Sequence, residues 1–330
     1  MKLSIIIPAY NVQDYIVECV NVLFNQGLES EDFEVIIIND GSTDSTLKEC
    51  LFLEQKYKNV QVRSQENKGQ SVARNVGISI ASGEYVFFMD SDDLILQGTL
   101  GSFIQYIYKK GLDFLGFGFS ESLDRSLALS SFSNNFNIIF EGSGEQLIED
   151  YNYYNGPCWF IFKKSLVLDL KFISGIYCED ALFTPRLILN MERCEVISEA
   201  VYIYFMNDKS TLREKTYEKN KKLFLDMFFV ASDFDNIYKE FKLSQRAYSS
   251  LRVRQESFVF YGVIRFFRLH EDITMLFNEI RKFSFENYKL YPLKEFRGSG
   301  IVEKVLLGCI NRSFLLKGLN NVNRFLKVIK

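Results

Sequence analysis

The sequence predicts an α/β protein: a mainly parallel sheet flanked by helices, followed by a helical C-terminal region. Three observations carry this. Over the first hundred residues, short β-branched apolar runs alternate with segments of helical period. Polar clusters fall at the ends of those runs. After Lys215 the sequence turns helical and aromatic. Alternation of this kind implies right-handed βαβ crossovers and a sheet covered on both faces. The expected boundary is a sheet domain over 1–215 and a helical region over 216–330.

Taken in order, Leu3–Ile7 is a buried strand that Pro8 ends, and Val12–Gln26 is a helix with Val12, Ile16, Val20 and Leu23 on its apolar stripe. Phe33–Ile38 is a second strand, running into Asn39-Asp40-Gly41-Ser42. A polar helix follows from about Asp44 to Tyr57, with Asp44 or Ser42 as its N-cap. Val60–Arg63 is a short strand, Gln70–Ala81 a helix closed by Gly83, and Tyr85–Met89 a fourth strand leading into Asp90-Ser91-Asp92-Asp93. Beyond residue 112 the rhythm loosens. Asp113–Phe119, Gly156–Phe162 and Glu195–Phe205 read as strands, and Glu121–Asn137, rich in Ser and Asn, as a mobile loop or lid. Glu179-Asp180 opens a helix over Ala181–Met191, with Pro185 in its first turn or so.

Composition narrows the chemistry. Thirty-nine basic and 42 acidic residues give a net charge of −3, which lacks the broad basic surface of a dedicated nucleic-acid binder. The chain is 47% hydrophobic and 25% charged, as globular proteins are. His270 is the single histidine, which excludes a multi-His zinc site and disfavours a Ser-His-Asp triad. The six cysteines form no CxxC pair and read as buried reduced thiols. No run is long enough for a signal peptide or a membrane span, so the chain is expected in the cytoplasm.

In doubly wound sheets, ligands bind at the carboxyl ends of the strands. That gathers Pro8-Ala9-Tyr10-Asn11, Asn39-Asp40-Gly41-Ser42 and Asp90-Ser91-Asp92-Asp93 into one cleft. Three carboxylates in four residues repel one another unless a cation or solvent intervenes, and oxygen ligands suit Mg2+ or Mn2+ bridging to phosphates. The same acids would also serve as a solvated turn capping the next helix. Asp40 is placed to accept from a base or ribose, or to cap a helix, and Tyr10 to stack on a flat ring, or simply to pack. Lys68-Gly69 and Arg74 lie around a helix start, where N–H groups and cations favour an anion, although Arg74 could equally form a surface ion pair. Together these clusters describe a site for a metal-bound nucleoside diphosphate. Asp180 could act as a general base on a hydroxyl, or be an acid favoured by the helix dipole.

In order along the chain, Ile5-Ile6-Ile7-Pro8-Ala9-Tyr10-Asn11, Ile38-Asn39-Asp40-Gly41-Ser42-Thr43-Asp44, Asn67-Lys68-Gly69, Ala73-Arg74-Asn75, Gly77 and Gly83-Glu84-Tyr85 precede the acidic triplet. This series resembles the inverting family-2 nucleotide-sugar glycosyltransferases of the GT-A fold. The match is strongest over about 3–95, with weaker matches at Trp159, Glu179-Asp180, Tyr202-Ile203-Tyr204 and Ser210-Thr211. The resemblance implies that Pro8, Tyr10 and Asp40 hold the base with Arg74 nearby, and that Asp90 contacts the ribose. It implies donor contacts at Asn11, Ser42, Lys68, Gly69 and Ser91, with Asp92 ligating Mn2+ or Mg2+ between the phosphates. Asp180 would be the catalytic base, supported by Glu179. Asn39 stands where many relatives have Asp. The implied reaction is inverting hexosyl or N-acetylhexosaminyl transfer from a UDP-sugar to a saccharide or lipid-linked acceptor in surface-polysaccharide synthesis.

A haloacid-dehalogenase phosphatase would end its first strand in Asp-x-Asp, whereas here three strands precede the motif. A nucleotidyltransferase would carry a Gly-rich, Arg-containing loop where Pro8-Ala9-Tyr10-Asn11 stands. A catalytically silent sugar-nucleotide-binding module would not need the intact triplet or Asp180. Residues 297–330 carry a net charge of +6, and Leu315, Leu319, Val322, Leu326 and Ile329 recur at helical steps. Such a segment could lie on the anionic inner face of a membrane or pack on its own domain.

Overall fold

The computed structural model describes residues 1–133, 136–206, 216–269, 271–272 and 274–276. The chain divides into two compact units, one from Met1–Gly175 with Phe183–Ser210, the other from Ile176–Leu182 with Thr211–Lys330. The basic segment 297–330, His270 and Cys309 lie outside the described residues.

The first unit opens with β1 (Leu3–Ala9), α1 (Ile16–Val22, extended by a 3-10 turn Leu23–Asn25), β2 (Phe33–Asp40), α2 (Thr46–Lys56), β3 (Val60–Gln65), α3 (Gln70–Ile80) and β4 (Tyr85–Phe88). These four strands are parallel, with β2 and β4 on either side of β1 and β3 at the edge. Leu3, Ile5, Ile6 and Ile7 in β1 and Val35 to Ile38 in β2 are completely buried. Continuous burial, rather than alternation, is what a parallel strand covered on both faces requires. Pro8 continues β1 opposite Ile38 instead of ending it. Pairing with β4 stops at Ile6, so a missing N–H at Pro8 breaks no bond to that neighbour.

The remaining strands are mixed in direction. They are β5 (Leu94–Ile95), β6 (Phe114–Ser122), β7 (Ile138–Gly142), β8 (Phe160–Lys163) and β9 (Cys194–Phe205). The sheet order is β3-β2-β1-β4-β8-β6-β9-β5, with β7 also paired to β9. β8 runs antiparallel to both β4 and β6, whereas β6 and β9 are parallel. Helices α4 (Thr99–Lys110) and α5 (Gly144–Asp150) belong to this half. Helix α6 (Asp180–Leu189) begins in the second unit and continues in the first. Pro185 falls in its second turn rather than its first.

Three local departures from the sequence pattern have physical causes. α1 starts at Ile16, not Val12: residues 12–15 form a turn closed by the Tyr15 and Ile16 amides on the Val12 carbonyl, and the Val12 and Gln13 amides are held by Thr46 Oγ1 and Asp44 Oδ2 of the neighbouring loop. Gly83 does not close α3: a Cβ there would lie 2.5 Å from the Ser4 amide nitrogen, so this glycine permits close backbone approach. Of Glu121–Asn137, expected to be a mobile loop or lid, the part up to Phe132 is instead docked. It holds a 3-10 turn at Arg125–Leu129, a bridge from Gln97 to Ser131, and the buried rings of Phe132 and Ala128's methyl.

In the second unit, α7 (Tyr217–Glu240) and α8 (Gln245–Leu269) pair through Phe224, Phe228, Ala231, Val259, Phe260 and Phe266, all essentially buried. Thr216 caps α7 by accepting from the Lys219 amide. Among the described residues, no helix is long and apolar enough to cross a membrane.

Candidate active site

The loops after β1 and β2 are stitched together. Asn11 adopts φ 51°, a conformation Asn tolerates. Its amide donates to Ser42 Oγ at 3.1 Å and its Oδ1 accepts from the Thr43 amide at 2.8 Å. Gln13 Oε1 accepts from Ser45 N at 2.7 Å. The α2 start is served by Asp44, whose Oδ1 accepts from Thr46 N at 2.9 Å, while the Ser42 hydroxyl is turned toward Asn11. Gly41, at φ 69°, lets the β2 loop pass the Asn67 amide, which a Cβ would approach to 2.6 Å. Tyr10 stands out from this stitched rim, 47% exposed, and Pro8 is half-buried beside it.

Asp40, nearly buried at the end of β2, holds the loop that precedes α3. Its Oδ1 accepts from Gln65 Nε2 at 2.7 Å and Lys68 N at 2.9 Å, and its Oδ2 from Gly69 N at 2.8 Å. The chain's own carboxylate thus takes main-chain donors at the α3 start that an external anion would otherwise meet. Three of roughly four acceptor positions of a carboxylate are engaged. Lys68 itself is exposed.

Arg74 points inward from α3. It is 3% exposed, and its Nη2 pairs with Asp90 Oδ1 at 2.9 Å. The guanidinium carbon lies 5.5 Å from the centre of the Phe172 ring. Asp90 and Asp93 are further fixed by Tyr202, a fully buried residue of β9. The Tyr202 hydroxyl accepts from the Asp90 amide at 3.1 Å and donates to Asp93 Oδ2 at 2.7 Å. The Phe205 amide donates to Asp93 Oδ1 at 2.8 Å. Burial, then the charges of Asp90 and Asp92, push the Asp93 carboxyl well above the usual carboxylate range. Burial, then Asp93, likewise raises the Tyr202 phenol. Ser91 is buried within the loop, and Asp92 is half-buried between the two anchored acids.

This division of labour bears on a cation. Asp93 spends both oxygens on protein donors and Asp90 engages Arg74, with Asp92 half-buried between them. Mg2+ and Mn2+ are commonly held by one or two carboxylates, with phosphate oxygens and water completing the shell. The donor set fits such an ion arriving with a diphosphate. Among the described residues, no group of three or more His, Cys, Asp or Glu forms a self-contained metal cage.

Glu179 and Asp180 belong to the second unit, at the start of α6. Glu179 is buried and Asp180 half-buried, with Asp180 Oδ1 accepting from the Ala181 amide at 2.9 Å. The preceding Cys178 carries a left-handed backbone, φ 62°. Burial, then Asp180, Glu179 and Asp226, push its thiol up to about 12, so it stays protonated at neutral pH. The Tyr177 amide donates to Asp226 Oδ2 at 2.7 Å, and Lys222 Nζ pairs with the same oxygen at 2.6 Å.

Sequence reasoning gave no role to Tyr202 or Arg125, and it read Asp93 only as one of three acids facing a cation, whereas both its oxygens bond to protein donors. Tyr202 stood in the weakly matching Tyr202-Ile203-Tyr204, but a phenol bonding to a loop 112 residues earlier has no local signature. Arg125 lies in a Ser-rich stretch with no periodicity to mark it.

A parallel sheet extended by mixed strands, with strand-end loops and an acidic turn gathered at one end, is the GT-A-like architecture that the sequence led us to expect. The model of "Glycosyl transferase family 2" matches residues 4–169, about half of the chain. The chain belongs to that family. It is 26% identical over 288 residues to the Escherichia coli K12 "Uncharacterized glycosyltransferase YibD", covering 76% of this chain and 78% of that protein. It is 29% identical over 256 residues to the Staphylococcus aureus poly(ribitol-phosphate) beta-N-acetylglucosaminyltransferase TarS, covering 72% of this chain and 41% of TarS. In fold it is similar to S. aureus TarS 1–349 in complex with UDP-GlcNAc, with a TM-score of 0.57, 22% identity, and coverage of 91% of this chain and 98% of that one. It is also similar to a Pyrobaculum calidifontis mannosyltransferase in complex with GDP-Man and Mn2+, with a TM-score of 0.56, 13% identity, and coverage of 98% and 87%.

Proposed function

We propose that this enzyme transfers a hexosyl or N-acetylhexosaminyl group from a UDP-sugar to a hydroxyl of a surface polysaccharide or its lipid-linked precursor, with inversion and with a divalent cation. The observation that carries the reading is the unequal anchoring of the acidic triplet, in which Asp90 and Asp93 are braced by Arg74, Tyr202 and the Phe205 amide. In this reading Asp92, half-buried in the turn that those bonds fix, would hold Mn2+ or Mg2+ at the donor diphosphate. TarS, named for N-acetylglucosaminyl transfer to poly(ribitol phosphate), supports the donor and acceptor class.

When bound, the cation supplies charge neutralisation for the departing diphosphate. In this reading the chain's own groups do the rest. Tyr10, exposed at the rim, stacks on the base, and Pro8 packs beside it. The remaining acceptor position of Asp40 takes a base N–H, and Asp90 takes a ribose hydroxyl. Lys68, Gly69, Asn11, Ser42 and Ser91 contact the donor, from loops that the Asn11–Ser42 bond and the Lys68 and Gly69 bonds to Asp40 hold in place. Asp180, supported by Glu179, removes the proton of the attacking hydroxyl. That hydroxyl bonds to the anomeric carbon as the bond to the diphosphate oxygen breaks on the opposite face, so configuration inverts. A membrane-facing role for 297–330 and a cytoplasmic location complete the proposal.

The test is a panel of UDP- and GDP-sugars assayed for hydrolysis with Mn2+, with Mg2+ and with chelator. At least one donor is expected to be cleaved only when a divalent cation is present, and NMR of the released sugar should report the inverted anomer. Donor cleavage indifferent to chelator, or by Asp92→Asn at the wild-type rate, contradicts the metal assignment. Cleavage of no donor favours a silent binding module.

A further inference from the structure

The turn that carries Asp92 is held from one more direction. Arg125, in the 3-10 turn Arg125–Leu129, donates from Nη1 to the main-chain carbonyl of Asp92 at 2.7 Å. Its Nε pairs with Glu18 on α1. The guanidinium lies over two rings, 4.6 Å from the centre of Phe205 and 5.4 Å from that of Tyr15. Phe205 is the residue whose amide binds Asp93, and Cys19, next to Glu18, places its thiol 3.6 Å from the Asp90 carbonyl. One side chain therefore connects α1, the end of β9 and the inserted segment to the middle of the acidic turn.

Two features separate this from ordinary packing. The bond goes to the carbonyl of the metal-ligand candidate itself, so it governs the peptide plane from which the Asp92 side chain departs. In addition, Arg125 Nη2 is buried with no hydrogen-bond partner. Buried side-chain donors mostly have a partner in protein or ordered water. A fork of donors in a rigid plane can hold a carboxylate and a carbonyl together, which a single ammonium cannot.

We infer that Arg125 is a positioning residue that fixes the Asp92 main chain in the orientation from which its carboxylate meets a divalent cation bound with a nucleoside diphosphate. This rests on the metal–diphosphate reading of the same site. Arg125 touches neither the cation nor the sugar in this scheme. It acts through the Asp92 peptide, so its loss should weaken the metal-bound complex without weakening recognition of the base.

The experiment is Mn2+ binding to the full chain, read by the EPR signal of free Mn2+, with and without UDP, alongside UDP binding in chelator by calorimetry. Wild type is expected to bind Mn2+ more tightly when UDP is present. Arg125→Met keeps an apolar stem over Phe205 and Tyr15 but removes every donor. It should weaken Mn2+ binding in the presence of UDP by about tenfold, equivalent to about 1.4 kcal/mol, while metal-free UDP binding stays within about twofold, below about 0.5 kcal/mol. Arg125→Lys should fall between Met and wild type, and it decides the matter if the Met variant does not fold. Wild-type Mn2+ affinity in the variant that is read, or equal loss of Mn2+ and of metal-free UDP, overturns the inference alone. A wild-type chain whose Mn2+ affinity ignores UDP overturns the functional reading together with it.

Discussion

Asp92 and Asp180 are carried by two regions built on different principles. Asp92 sits in a turn braced by main-chain and side-chain bonds from several segments: Tyr202 on the Asp90 amide, Phe205 on Asp93, Arg74 on Asp90 and Arg125 on its own carbonyl. Asp180 starts a helix just after a left-handed cysteine, and the strand of chain before it is fixed at Tyr177 by Asp226 of α7. Backbone strain of about 1–2 kcal/mol accompanies a non-glycine residue in that conformation. The first region is preorganised, as the proposed nucleotide, a ligand of fixed shape, would require. The second presents an acid at a helix start, from a segment that a charged residue of α7 ties down at the Tyr177 amide.

Changes in the two regions should therefore separate donor binding from turnover. The largest effect is expected for Asp180→Asn, which should lower transfer by about 10²–10⁴-fold, the usual worth of a general base. Calorimetric UDP affinity should be unchanged, and equal loss of both would remove the base assignment. Asp226→Asn comes next. Weakening a charge-assisted bond of about 1.5–3 kcal/mol should lower transfer at least tenfold through misplacement of Asp180. Mn2+-dependent UDP binding should persist, and a Kd that weakens in step with turnover would blur the comparison.

Tyr202→Phe probes the other region. It leaves the Asp90 amide and one Asp93 oxygen without their buried partner, at a cost of about 1–3 kcal/mol in thermal or urea unfolding. Mn2+-dependent UDP affinity should fall as well. A variant as stable as wild type, with unchanged affinity, would mean that the acidic turn does not need its brace.

The smallest effect lies at the opposite end of β2. Burial would raise the Glu34 carboxyl, but bonds from Ser4, Ser82 and Gly83 outweigh it and hold it below its ordinary 4.5. A carboxyl lowered by folding stabilises the native state above its unfolded pKa, and that contribution is lost as pH falls through the folded value. Glu34→Gln should cost about 1 kcal/mol near neutrality, and the gap from wild type should close below pH 4.5. A gap constant with pH would show that the bonds do not favour the charged form.

The same contrast explains what the sequence revealed. Parallel strands buried on both faces are continuous apolar runs, so Leu3 to Ile7, Phe33 to Ile38 and Tyr85 to Met89 were legible, and with them the strand-end clusters. What those clusters do was less legible. Asp40 is committed largely to the Lys68 and Gly69 amides, and Arg74 turns inward to Asp90, because hydrogen-bond partners are chosen by tertiary placement that residue spacing does not encode. Gly156–Phe162 reads as one strand, yet a 3-10 turn at Pro157–Trp159 precedes β8. Tyr202 and Arg125 act across 112 and 33 residues of sequence, beyond any local pattern.

The central claim is that Asp92 holds a divalent cation against the donor diphosphate. Anomalous diffraction at the manganese edge, from crystals grown with Mn2+ and a UDP-sugar, tests it most directly. The account predicts an anomalous peak within ligand distance of an Asp92 carboxylate oxygen and of oxygens from both phosphates. A manganese peak bridging the phosphates but away from Asp92 would contradict it.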